Sequence, residues 1–334
     1  GLGCRRVLCR SGVRARRPRP GPGTHPPEIV LIETVRPAAV LGWLVVVAGF
    51  AATPGRAESP THVGAAACAE CHAKEAREWA GSHHDLAMQP ALESTVKGDF
   101  DDALHTRQGI TTRFFRSGPK FMVHTEGADG AMADFEVSYT FGTDPLQQYL
   151  IGFPDGRYQV MGLAWDDRPQ ELGGQRWYSI YPDEIIPHGD VLHWTQPSQN
   201  WNHMCADCHS TNLRKGYRAE TDTFETRWSE IDVSCEACHG PGSSHRSRML
   251  KTKASPAVAR DNGLTIEFPP VAEASWTIEA SSGKPVRAPP RAERLEVDTC
   301  ARCHSRRSTI AEGIVPGHPI QDSHRVATLD ASLY

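Results

Sequence analysis

Methionine is scarce in this 334-residue chain, with six residues, and aromatic side chains make up only 7% of it. The net charge is only −4, from 36 basic against 40 acidic residues, so no basic excess points to nucleic acid as a partner. No apolar run reaches the roughly 20 residues that a membrane-spanning helix needs. The longest, AAVLGWLVVVAGFAA at 38–52, is fifteen residues. No internal repeat is visible beyond one pentapeptide. What the chain does have is sixteen histidines and ten cysteines, on a background of 39% hydrophobic residues that suits one large or two modest globular domains.

The first 34 residues cannot build a core. Arg5, Arg6, Arg10, Arg14, Arg16, Arg17 and Arg19 stand among Pro and Gly without apolar periodicity. This stretch reads as a disordered or misannotated upstream extension in preference to a functional basic arm, and Cys4 and Cys9 receive no role. Residues 35–57 have the form of a signal peptide: Arg36, the apolar run, then small residues up to Ala57. Cleavage after Ala57 would leave a mature domain over 58–334. Export to the periplasm or beyond is expected, with membrane attachment only if the leader is retained.

Eight of the cysteines form Cys-x-x-Cys-His units: Cys68, Cys71 and His72; Cys205, Cys208 and His209; Cys235, Cys238 and His239; Cys300, Cys303 and His304. Two cysteines three apart on a helical turn can both add to the vinyl groups along one edge of a haem, and the next residue then points its imidazole at the iron. A zinc cluster would join two Cys-x-x-Cys units and has no need of His after each. A disulfide framework leaves the histidines equally unexplained. The expectation is four covalent haems c, with His72, His209, His239 and His304 as proximal ligands. A sixth ligand must come from elsewhere. Histidines outnumber the sites, whereas only six methionines exist, with Met88 and Met204 near motifs, so bis-His ligation is favoured for most haems. His83 and His84 follow His72 by eleven and twelve residues; His193 precedes Cys205 by twelve; His324 follows His304 by twenty. His245 follows the Gly240-Pro241-Gly242 turn, which directs it to a haem other than the one on Cys235 and Cys238.

Between the first two motifs the pattern changes. Ile110–Ser117, Phe121–Glu126, Phe135–Phe141, Gln147–Phe153 and Tyr158–Trp165 are aromatic and β-branched runs separated by turn residues. A β-rich insert is expected at about 106–182. Residues 251–294, rich in Pro, Ala and Ser, read as a long surface connection. The fold expected is α+β: a loop-rich, mainly helical multihaem body with this β-rich insert.

Ala67–His72 with Trp79 and Gly81-Ser82-His83-His84, the block Asn200–Asn212, and Cys235–Gly242 resemble multihaem cytochromes of the cytochrome c-554 type. More narrowly, Tyr139–Gly142, Pro145–Leu150 and Gly173–Trp177 resemble the members that continue into tetratricopeptide repeats. The resemblance covers about 62 to 334 and implies that the chain is the front portion of a longer protein, with a further helical-repeat region. It also implies that His84, His193 and His245 are candidate distal ligands and ranks His203 below them. Electron transfer with redox partner proteins is the function expected. The alternatives are an oxidoreductase acting on a small nitrogen or sulfur compound at one open haem, and a haem-bearing scaffold of a repeat protein.

Overall fold

Strands form where the sequence alternates, and most helices are single turns around the cysteine motifs. The computed structural model describes residues 59–254, 262–268, 274–290, 294–313 and 315–327. The N-terminal extension and the leader lie outside the described residues.

The mainly helical body expected from the motifs is not what forms: only 23% of the described residues are helical, and a nearly closed antiparallel sheet is the largest element among them. The physical reason lies in how little helix a Cys-x-x-Cys-His unit requires. One turn brings its cysteines together, and the flanking Gly, Pro and Asn do not sustain more. Helices α1 (Ala65–Ala69), α2 (Ala73–Trp79), α3 (Trp201–Met204), α4 (Ala206–His209) and α5 (Cys235–His239) are accordingly short, and among the described residues only α6 (Ser243–Ala254) and α7 (Leu295–His304) reach ten residues.

The large sheet contains β1 (Met88–Pro90), β2 (Ala103–Arg107), β3 (Ile110–Ser117), β4 (Lys120–Glu126), β5 (Met132–Phe141), β6 (Leu146–Gly152), β7 (Tyr158–Val160), β8 (Leu163–Asp166) and β9 (Arg176–Ser179). Its order is β2-β3-β4-β5-β6-β8-β9, with β1 on β5 and β7 on β6, and all pairs are antiparallel. The run Tyr158–Trp165 does not make one strand: it breaks at Met161 and Gly162 into β7 and β8, which both pair with β6. Smaller hairpins follow: β10 (Tyr217–Arg218) with β11 (Thr223–Phe224), β12 (Ser275–Ile278) with β13 (Pro285–Ala288), and β14 (Arg307–Thr309) with β15 (His324–Val326). The β12–β13 hairpin lies within the stretch read as a surface connection.

Two apolar clusters fix the sheet and what sits on it. Inside, Phe100, Phe114, Phe121, Val123, Val137, Tyr149, Met161, Trp165 and Trp177 pack together. The Phe114 and Trp177 rings stack with centroids 3.5 Å apart, joining β3 to β9 across the interior. Tyr149 donates its hydroxyl to Gln147 at 2.8 Å and accepts the Gly98 N–H at 2.9 Å, so its buried oxygen is satisfied. On the other side Met88, Phe141, Leu150, Val160, Trp201 and Ala206 form a second cluster that seats α3 and α4 on the sheet. Asparagines complete that seat. The Asn200 side chain caps α3 by accepting the His203 N–H at 3.0 Å, and Asn202 accepts the Tyr158 N–H at 2.8 Å while donating to Thr226 Oγ1 at 2.7 Å. The sheet is therefore the platform for the second cysteine motif.

Candidate functional site

Each cysteine motif lies on or beside a helical turn, and the four turns surround two cavities. The first, of about 390 Å³, is lined by Cys208 and His209 from α4, Cys238 from α5, and Cys300, Cys303 and His304 from α7, together with His62, His83 and His84. The second, of about 420 Å³, is lined by Cys68, Cys71 and His72, by Cys235 and His239 from α5, and by His245 from α6. Both fall within the size range of cofactor sites. Cys205 lines neither and packs beside the second apolar cluster.

The motifs meet in pairs. Helix α1 packs against α5 and α4 against α7. Cys68 and Cys235 line the same cavity, and Cys208 Sγ stands 3.9 Å from the Cys303 carbonyl oxygen. Helix α5 contributes to both cavities. None of the eight motif cysteines is in a disulfide. Among the described residues no three His, Cys, Asp or Glu side chains gather as the ligands of one ion would, so the thiols are not arranged as zinc tetrahedra.

Two imidazole pairs span the cavities. The His72 and His245 ring centroids are 6.1 Å apart, and those of His84 and His304 are 6.2 Å apart. A metal–imidazole bond is about 2 Å, and the ring centre lies roughly 1 Å beyond the nitrogen, so two imidazoles on opposite sides of one iron have centres about 6 Å apart. Both pairs fit that spacing. His209 donates Nδ1–H to the Ala87 carbonyl at 3.1 Å, which leaves its Nε2 as the free lone pair. Burial lowers the basicity of His209 and His239 and favours the neutral imidazole that a ligand must be. The ring neighbours of these two are Phe141 and Phe268, at 5.7 and 5.2 Å.

The other residues singled out in the sequence sit elsewhere. His193 is buried and lines neither motif cavity: its Nδ1 is 2.8 Å from Thr195 Oγ1 and its Nε2 is 3.8 Å from Glu126. His324 is buried too, with Nδ1 2.7 Å from Ser323 Oγ and Nε2 3.2 Å from Asp207, so protein groups occupy both ring nitrogens. Met88 is a core residue at 1% exposure, and Met204 is largely exposed. His203 packs against Tyr217 and Phe224.

Two acidic residues inside the motifs carry structure that the sequence reading overlooked. Asp207, the second variable residue of its motif, forms an ion pair with Arg307 at 2.8 Å and meets His324. Burial works against its charge, but Arg307 and His324 outweigh that and hold its pKa below the ordinary value. Glu236, the first variable residue of the third motif, is buried and accepts only backbone N–H groups. The signal for both was a carboxylate at a position where the attachment chemistry asks for none.

The family model described as cytochrome c554 and c-prime matches residues 67–112 and 190–240, which include the first three cysteine motifs. No curated protein matches the chain. Among solved structures, the outer cell wall cytochrome OcwA is similar at a TM-score of 0.46 and 18% identity, over 80% of this chain and 45% of that one. The undecahaem cytochrome from the S-layer of Carboxydothermus ferrireducens is similar at a TM-score of 0.31 and 18% identity, over 56% of this chain and 22% of that one. The chain thus spans less than half the length of these two structures.

Proposed function

We propose that this chain, a multihaem c-type cytochrome, transfers electrons through four covalently attached haems arranged as two adjoining groups. The observation that carries the reading is the pairing of the motifs around two cavities, each spanned by one imidazole pair at 6.1 or 6.2 Å. Cys68 and Cys71, Cys205 and Cys208, Cys235 and Cys238, and Cys300 and Cys303 each hold one haem by thioether bonds, and His72, His209, His239 and His304 are the proximal ligands. His245 closes the site of His72, and His84 closes that of His304. Bound haem supplies one-electron chemistry at its iron. Helix α5, whose Cys235 and His239 face one cavity and whose Cys238 faces the other, joins the two groups into one electron path.

The partners in this reading are soluble redox proteins, and the site of action lies outside the cytoplasm. A helical-repeat continuation of the chain fits the same picture. An oxidoreductase acting on a small nitrogen or sulfur compound is the second reading. It is favoured at His209 and His239, whose ring neighbours are aromatic residues.

Expression with a c-type maturation system, followed by mass spectrometry and a pyridine haemochrome assay, is expected to give four haems per chain. Two or fewer after complete maturation overturns the reading. The reduced protein is expected to pass electrons to soluble acceptors without turning over nitrite or hydroxylamine. Robust turnover of either by the isolated chain moves the assignment to the enzyme.

A further inference from the structure

We infer that Glu236 is a positioning residue that sets the spacing between His72 and His245, although it belongs to a different motif from either. The inference rests on the bis-His reading of that pair. Glu236 stands on α5 at 2% exposure. Both its oxygens accept the Val63 N–H at 3.0 Å, one accepts the Gly64 N–H at 2.8 Å, and the other accepts the Gly242 N–H at 2.7 Å. Val63 and Gly64 lead directly into α1, which carries Cys68 and delivers His72. Gly242 immediately precedes α6, which carries His245. The two chain segments that present opposing imidazoles therefore start from the same carboxylate.

Other bonds close the same joint. Ser243 N–H donates to the Thr61 carbonyl at 3.1 Å, and Thr61 N–H donates to Ser243 Oγ at 2.8 Å. Ala65 N–H goes to Glu230 at 2.8 Å, so acidic side chains from the third-motif region hold three successive N–H groups at the start of α1. The joint is tight as well as polar. A methyl group on Gly242 would lie 3.2 Å from both Glu236 Oε1 and Val63 Cγ2. A buried carboxylate tolerates desolvation only when donors surround it, and here all the donors belong to the two segments it aligns. Its removal frees both segments at once, and the imidazole spacing loses its common reference.

The test uses the full chain, matured with haem, carrying Glu236→Gln, which keeps the side-chain shape but turns one acceptor into a donor facing N–H groups. The expected result is four haems still attached, with one of the four becoming high-spin and binding carbon monoxide when reduced, and its midpoint potential shifted away from the wild-type value. Glu236→Asp keeps both acceptors and is expected to give the same signature to a smaller extent. Four haems that stay low-spin and closed to carbon monoxide in Glu236→Gln overturn the proposal. If Glu236→Gln does not mature, Glu236→Asp decides in the same way; failure of both to mature also overturns it, because the role is then in folding alone. His245→Ala separates this proposal from the reading beneath it. If His245→Ala opens no haem, the ligand pair itself is wrong. If it opens one and Glu236→Gln opens none, only the positioning role fails.

Discussion

Asp232 has a side-chain oxygen that is buried without a hydrogen-bond partner, and burial, reinforced by Glu230 and Asp85, pushes its pKa up to about 6. A carboxyl raised in the folded state leaves stability full below about pH 4, where folded and unfolded chains both hold the proton. That stability is lost as pH rises through about 6, because the unfolded chain ionises first. Asp232→Asn is therefore expected to melt higher than wild type at pH 7. The rise should be about 1–3 °C, since half-exposure discounts the penalty, and the difference should vanish by about pH 4 in calorimetric scans. At the same scale, His84→Ala and His245→Ala are each expected to leave four haems attached. Each should convert one to a form that binds carbon monoxide, read by difference spectra of the reduced protein; a fully closed spectrum in either variant removes that histidine from the ligand set.

Among the elements, the sheet shows where pattern reading succeeds and where it stops. Alternation in Ile110–Ser117 is enough to make β3, because one face meets a core and the other meets water. Strand β9 gave no comparable signal: four residues, Arg176–Ser179, acquire strand geometry from pairing with β8 and from Trp177 stacking on Phe114. Phe114 has no exposed surface, and the stack joins strands more than sixty positions apart in the chain. Phe114→Ala is expected to cost about 3–5 kcal/mol in denaturant unfolding, through lost burial and a cavity that the stacked partner cannot fill. Haem attachment should be unchanged, since no motif residue belongs to that cluster or to the apolar side chains packed on it.

For the whole molecule, the division of labour is between a sheet that supplies rigidity and short turns that present thiols and imidazoles. Helices α3 and α4 ride on the sheet through Trp201 and Ala206, and α5 links the two cavities. Among the described residues no helix is long and apolar enough to cross a membrane. Cleavage after Ala57 is expected to release a chain beginning at Glu58 when the protein is expressed in a host with an export pathway, and N-terminal sequencing checks it. Retention of residues 38–52 would instead indicate a membrane anchor.

The four Cys-x-x-Cys-His motifs are legible in the sequence because each is local: its two thiols and its imidazole fall within about one helical turn, whatever the rest of the chain does. Strands with clean alternation were legible for the same reason. Fold class was not, since the number of motifs says nothing about how few helical residues each one uses. Which histidines face one another across a cavity depended on tertiary structure altogether. His84, His193, His245 and His324 are equivalent in kind as sequence features, but α6 brings His245 to 6.1 Å from His72, and His84 lies 6.2 Å from His304. Glu126 and Thr195 flank His193, and Asp207 and Ser323 occupy the nitrogens of His324. Which imidazole nitrogen keeps a free lone pair, and which cavity it faces, is decided by contacts between segments far apart in the chain, and no local pattern encodes those.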